Sequence, residues 1–225
     1  MLGSGAIECI VKLGGSLLRY PSKLVELCRL LSNRRVRSFL VIPGGGIFAD
    51  SVRYVDRLLN LSNRISHWMA VKSMDIYGLL LAYLIPNGSV ASSLSEAQKL
   101  WVDGYTPVLE VYGLKELRDL PENWDVTSDS ISLKLAQDWG IEELILVKDV
   151  DGVYRMDPKI HPEAEFMPIV SVSELEKLRE VCVDRFFPRL FRLKPIKCMI
   201  VNGLNPDIVG YALEGKNVRG TMIAP

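Results

Sequence analysis

Short apolar runs alternate with amphipathic segments along the chain, and the apolar runs stop at glycine or aspartate. A strand covered on both faces reads as a near-continuous apolar run, whereas a helix covering it repeats its apolar positions every three to four residues. The runs at 6–13, 38–42, 90–92, 108–111, 143–147, 197–201 and 220–224 read as strands. Between them, residues 21–31 put Leu24, Leu27, Cys28 and Leu31 on one helical face. The helix after Gly46 puts Phe48, Val52, Val55 and Leu59 on one face, with Arg53, Asp56 and Arg57 opposite. Residues 65–84 form a longer helix that is nearly apolar at its end, so its second half is expected to be buried. A short helix separates the strands at 90–92 and 108–111.

Ser128 is expected to cap a helix that runs to Trp139 and stops at Gly140. Ser171 with Glu174 forms a capping box before Leu175 and Leu178. Asn205 and Pro206 open a last helix, which Gly215 closes. This alternation implies an α/β fold, a three-layer α-β-α sandwich with a mainly parallel central sheet. Ligands of such sheets sit at the carboxyl ends of the strands. The polar turn Leu120-Pro121-Glu122-Asn123 suggests an N-terminal lobe of residues 1–122 and a C-terminal lobe of residues 123–225 within one continuous domain.

Composition removes several functions. Basic and acidic residues number 27 each, so the chain lacks the basic excess of a general nucleic-acid binder. Its densest basic stretch, Arg34, Arg35 and Arg37, reads as a solvated helix end. The longest apolar run, residues 79–85, is short of the roughly 20 residues that span a bilayer, and no signal-peptide pattern opens the chain. Neither nucleic acid nor membrane is therefore an expected partner. Cys9, Cys28, Cys182 and Cys198 form no Cys-x-x-Cys pair and each sits in an apolar run, which reads as buried free thiols in a reducing cytoplasm. With only His67 and His161 besides, a zinc site is poorly supported.

Two glycine-rich turns, Gly14-Gly15-Ser16 after Lys12 and Pro43-Gly44-Gly45-Gly46, each join a strand to a helix. Taken alone, either fits a tight chain reversal. Two in consecutive units, one beside a lysine, point to an anion held by backbone N–H groups at helix N-termini. No G-x-x-x-x-G-K-[ST] is present, and Gly3-Ser4-Gly5 precedes the first strand, so neither a P-loop nor a Rossmann site is supported.

The ordered set Val11-Lys12-Leu13-Gly14-Gly15-Ser16, Pro43-Gly44-Gly45-Gly46, Thr127-Ser128-Asp129, Asp149-Val150-Asp151-Gly152-Val153-Tyr154 with Asp157-Pro158, Asn202-Gly203 and Gly220-Thr221 resembles the amino acid kinase superfamily over essentially the whole chain. That family includes acetylglutamate, carbamate, uridylate and isopentenyl phosphate kinases. The resemblance implies ATP with Mg²⁺ carried by the nucleotide, no protein metal ligand, and a small phosphorylated acceptor. It also implies a homo-oligomer. Lys12 is implied on the transferring phosphoryl group, and Asp129 as the carboxylate that organises the lysines. Gly14, Gly15 and Ser16 are implied on the nucleotide phosphates. Asp149, Asp151, Gly152, Tyr154, Asp157 and Lys159 are implied in the nucleotide loop. Lys148 stands where threonine is common and can supply a second cation. Gly44, Gly45, Gly46, Arg64, His67 and Thr127 are implied on the acceptor side. One of Arg185, Arg189, Arg192 and Lys194 is a further candidate cation, and Asp75 a candidate partner for an acceptor amine.

A narrower set, Asn63-Arg64-Ile65-Ser66-His67 with Met74-Asp75, residues 126–130, Val183-Asp184 with Phe187-Pro188, and Val201-Asn202-Gly203, resembles an archaeal branch acting in methanofuran biosynthesis. That resemblance implies an (aminomethyl)furanyl-methyl phosphate acceptor. Uridylate, isopentenyl phosphate, an amino acid, or non-catalytic oxyanion storage are the competing readings.

Overall fold

The computed structural model describes residues 6–33, 35–178 and 182–225; Gly3, Gly5 and Arg34 of the sequence reading lie outside them. The described strands are β1 (Cys9–Leu13), β2 (Phe39–Pro43), β3 (Gly88–Ala91), β4 (Thr106–Leu109), β5 (Glu143–Lys148), β6 (Val153–Tyr154), β7 (Phe166–Met167), β8 (Ile169–Ser171), β9 (Lys197–Asn202) and β10 (Thr221–Ala224). The helices are α1 (Pro21–Leu31), α2 (Gly46–Leu59), α3 (Asn63–Leu84), α4 (Leu94–Val102), α5 (Ser128–Trp139), α6 (Val172–Leu178), α7 (Phe187–Leu193) and α8 (Pro206–Leu213). Eight strands form one sheet in the order β3-β4-β2-β1-β5-β9-β10-β8. Every neighbouring pair is parallel except β9 with β10. Strands β6 and β7 form a separate antiparallel hairpin that the apolar pattern of the sequence did not announce, because each is two residues long.

Side chains alternate across a strand, so each strand feeds two layers. Cys9, Val11 and Leu13 of β1 join Val41, Ile145 and Val147 in the core under α1, α3 and α8. Ile10 joins Leu40, Ile42, Leu144 and Leu146 in the opposite core, under α5 and α7. Lys12 shares the face of Ile10, and Lys148 that of Leu144 and Leu146. In register, Lys12 lies opposite Leu146, so both lysines emerge on the α5 side where the apolar layer ends.

Four expectations change. The second half of α3 is not wholly buried: Met74, Tyr77, Gly78 and Leu81 face the sheet, while Ile76, Leu79 and Tyr83 are exposed. Apolar composition on all sides does not fix which side meets the sheet. In α2, Ala49 and Val52 are the buried pair, and Leu59 is exposed beside the left-handed residue Asn60 that ends the helix. Cys182 is only partly buried, unlike the other three free cysteines. The capping box at Ser171 and Glu174 forms as expected, with each backbone N–H received by the other side chain. Pro206 begins α8, but Asn205 makes no side-chain cap bond; Gly215 follows the helix in the left-handed region. Among the described residues no helix is long and apolar enough to cross a membrane.

Candidate active site

The two lysines meet Asp129, in the first turn of α5. Lys148 Nζ lies 2.7 and 2.8 Å from the two carboxylate oxygens, and Lys12 Nζ lies 2.8 Å from Oδ1. Lys12 and Asp129 are buried, at 3% and 5% exposure, so two cations and one anion share a water-poor junction. Burial pushes the Lys12 ammonium down to about 8 against the pull of Asp129. Burial acts on Lys148 in the same direction, but its grip on both oxygens of Asp129 carries it above its ordinary value. Burial alone would raise Asp129; Lys12 and Lys148 outweigh it and hold the carboxyl at about 2.

The N-terminus of α5 is capped from a distance. Thr127 occupies the cap position without a side-chain cap bond, and Ser128, the expected cap, is the first helical residue. The orphan amides go instead to Asp184, whose Oδ2 accepts from the Thr127 N–H and Oγ1 and from the Ser130 N–H. Its Oδ1 accepts from Ser130 Oγ and the Phe187 N–H. Burial, then the charge of Asp129, raises the Asp184 pKa. The capping thus fixes the turn that carries Asp129.

The glycine turns pack backbone against backbone. A Cβ on Gly15 would lie 2.0 Å from the Gly46 nitrogen, and one on Gly44 would lie 2.6 Å from the Gly15 nitrogen. The Gly14 N–H already donates to Val147 O, and that of Gly44 to Leu13 O, both at 2.8 Å. Those two amides are committed to the sheet. Gly15, Gly45 and Gly46, by contrast, line a cavity of about 230 Å³. The buried Lys12 and Asp129 also line it, and Val71, Met74, Val126 and Ile131 give it apolar walls. The N-termini of α2 and α5 both open onto it; that of α2 carries no side-chain cap, whereas that of α5 is already served by Asp184.

A second cavity, of about 670 Å³, adjoins the first. Lys148, Asp149, Gly152, Asp157, Pro158 and Lys159 line it, and Ser16, Arg53, Trp124 and Thr127 border both. Its loop is tied in place. Asp149 accepts from Ser16 Oγ at 2.8 Å and pairs with Lys159 Nζ at 2.5 Å. Asp151 accepts from Asn202 Nδ2 and Arg219 Nε, both at 2.8 Å. Tyr154 reaches Asp151 through its hydroxyl and stands edge-on to Phe166. Gly152 has φ +152, and a Cβ there would lie 2.3 Å from Thr221 Oγ1, which receives the Val153 N–H. Gly152 therefore permits a close crossing of the loop over β10.

Of the residues expected on the acceptor side, His67 lines the first cavity and is buried. Its Nδ1 lies 3.1 Å from Asn123 O. A carbonyl only accepts, so Nδ1 carries the proton; burial lowers the pKa of the ring, which leaves Nε2 an acceptor in the neutral form. Arg64 lines neither cavity: it is exposed and pairs with Glu122 at 3.3 Å. Asp75 is likewise outside, its carboxylate taken by the N–H groups of Val111 and Tyr112. Of the cationic run, Arg185 lines the second cavity. Arg192 pairs with Glu176, Lys194 donates to Gln137 O, and Arg189 lies over Phe186.

Residues that sequence reasoning missed are Arg19, Asp50, Arg53 and Trp124 around the first cavity and Asp184 on the second. Arg53 sat on the polar face of an amphipathic helix, a signal that does not distinguish solvent from a cavity. Nothing local marks Asp184, because its capping partners on α5 lie more than 50 residues away.

The family pattern described as "Amino acid kinase family" matches residues 8–186. A (5-(aminomethyl)furan-3-yl)methyl phosphate kinase of Methanocaldococcus jannaschii is 32% identical over 212 residues, covering 92% of this chain and 94% of its own. A uridylate kinase of Thermofilum pendens is 27% identical, with 99% of each chain covered. The crystal structure of the uridylate kinase of Archaeoglobus fulgidus superposes with a TM-score of 0.74 over 97% of this chain and 100% of its own, at 23% identity.

Proposed function

The chain belongs to the amino acid kinase family, and from that premise we propose that it transfers the γ-phosphoryl group of ATP to a small phosphomonoester, (aminomethyl)furanyl-methyl phosphate, giving the diphosphate. The observation that carries this reading is the Lys12–Asp129–Lys148 cluster at the join of two cavities. The second cavity, with Lys148, Lys159 and the 149–158 loop, takes the nucleotide. The first takes the acceptor.

Phosphoryl transfer asks mainly for in-line placement and charge neutralisation. Lys12 and Lys148 supply cations on either side of the transferring group, and Asp129 holds both ammonium groups so that little reorganisation is needed as charge shifts. A phosphomonoester has a second pKa of about 6, so it arrives as a dianion and needs no general base. Asp129, held at about 2 by the two lysines, is suited to orientation and not to proton removal. Mg²⁺ commonly binds through substrate phosphates and keeps several waters. Asp149 and Asp151 are already paired with Ser16, Lys159, Asn202 and Arg219, so the proposal has the nucleotide carry the metal.

Three features support the acceptor. The first cavity offers apolar walls, from Val71, Met74, Val126 and Ile131, to the ring of such an acceptor. The unprotonated Nε2 of His67 offers an acceptor to an ammonium group. The relative that matches 92% of the chain is named for that acceptor. The proposal includes assembly into a homo-oligomer, which the solution mass tests directly.

The decisive experiment measures ADP formation against a panel containing (aminomethyl)furanyl-methyl phosphate, UMP and isopentenyl phosphate. We expect stimulation by the furan compound, and loss of at least about 100-fold in rate for Lys12→Ala. If ATP binds but no phosphomonoester stimulates ADP formation, the kinase reading is wrong; stimulation by UMP alone would move the acceptor.

A further inference from the structure

Among the described residues, Arg53 is the cation that borders both cavities. Its position follows from helix geometry. Gly46, Ala49, Asp50 and Arg53 recur at the spacing of one helical face, and all four line the first cavity. The polar face of α2 thus looks into the site over its first two turns.

The guanidinium is held in a defined place. It lies 4.6 Å from the centroid of the Trp124 ring, and its Nη1 donates to Asp50 Oδ1 at 2.9 Å. Trp124 is itself fixed, its indole N–H donating to Asp56 Oδ2 at 2.7 Å. Arg53 is therefore stacked on one side and bonded at one edge, both through residues of α2 and the 120–125 connection. A guanidinium presents five donors in a planar fork that fits phosphate oxygens in pairs. Arg19 lines the first cavity only, and Arg64 neither.

We propose that Arg53 is the clamp for the acceptor's phosphate, holding it where the two cavities join. This rests on the kinase reading. An oxygen of the clamped phosphate dianion forms the new P–O bond as the bond from the γ-phosphorus to the ADP oxygen breaks. No proton moves, and Arg53 stays with the original phosphate, now the inner one of the diphosphate. The specificity it confers is for a phosphate on the acceptor. An alcohol of the same shape leaves the fork without an anion.

The test compares wild type, Arg53→Ala and Arg53→Lys in the full chain, by steady-state kinetics and by calorimetry with inorganic phosphate as the probe. Loss of a charged, paired hydrogen-bonding contact predicts an acceptor KM raised about 10- to 100-fold in Arg53→Ala, with ATP KM within about twofold. Arg53→Lys keeps the charge but not the fork and falls between the two. Inorganic phosphate binding weakens in the same order. An acceptor KM unchanged in Arg53→Ala overturns the clamp, as does a parallel rise in both KM values, which reports a deformed site. Absence of turnover in the wild type, with phosphate binding still dependent on Arg53, sinks the kinase reading and leaves the clamp standing.

Discussion

Lys12 and Lys148 share Asp129, but burial carries the Lys12 ammonium below its ordinary value while Asp129 carries Lys148 above its own, so Lys12 is the ammonium that gives up its proton first. Its folded value of about 8 lies below the ordinary 10.5. Between those values the unfolded chain holds a proton that the folded chain has lost, so the stability contribution of this group rises with pH across that window. Activity goes the other way, since the proposed role needs the charge. We therefore expect kcat/KM to fall above about pH 8, without any loss of folding stability from this group. Bound phosphates favour the charged form, so the matching limb in kcat is displaced upward. The first profile reports the free enzyme and the second the complex. Lys12→Arg removes the limb if the variant retains measurable turnover. A flat kcat/KM profile from pH 7 to 10 in the wild type excludes Lys12 as the required cation. At this scale the sequence was informative, because Lys12, Asp129 and Lys148 each sit at a strand end or helix start where backbone position decides the neighbourhood. Arg53 was not legible. Its long side chain turns toward a cavity that exists only once α2, the 120–125 connection and α5 are assembled.

Helix α5 shows what a local reading can and cannot supply. Its end at Gly140 was legible, since that residue adopts the left-handed conformation that glycine accepts most readily. Its start was misassigned by one residue because the acceptor that satisfies the first turn comes from Asp184, more than 50 positions away. That arrangement couples the 182–187 segment to the placement of Asp129. Asp184→Ala leaves the amides of Thr127 and Ser130 and two hydroxyls without their shared acceptor. We expect a loss of about 2–4 kcal/mol in stability, from a lost cap and several charge-assisted bonds. A lower kcat should accompany it as the first turn frays. Chemical denaturation and turnover on the same preparation check both. Stability within about 0.5 kcal/mol of wild type would show that the distant cap contributes nothing. Helix α3 taught the converse. Its apolar second half predicts burial, but a helix on one face of a sheet exposes whatever lies opposite, here Ile76, Leu79 and Tyr83.

At the scale of the whole molecule, the parallel pairing of β1 with β5 brings the first half of the chain against the second. Lys12 and the glycine turns come from one side of that seam, and Asp129, Lys148 and the 149–159 loop from the other. Alternation of strands with helices was enough to anticipate a mainly parallel sheet. The strand order, and the reversal of β10, depend on long-range pairing that periodicity does not encode. Zero net charge over the molecule is compatible with the site because its cations are local: Lys12, Lys148, Lys159, Arg19 and Arg53 surround the two cavities. A ligand held across the seam binds the folded chain and not the unfolded one. At about 100 times its Kd it adds about 2.7 kcal/mol. For a chain of this size that corresponds to a rise of about 5–10 °C in Tm. ATP with Mg²⁺ and the acceptor should each raise Tm in the wild type. Lys148→Met leaves Lys12 paired with Asp129, so the fold and the acceptor's effect persist, but it removes a cation from the second cavity. The rise with ATP should then shrink by more than half at the same concentration, while the rise with acceptor stays within about 2 °C of wild type. An undiminished rise with ATP in Lys148→Met would place the nucleotide elsewhere than the cavity bounded by Lys148 and the 149–158 loop.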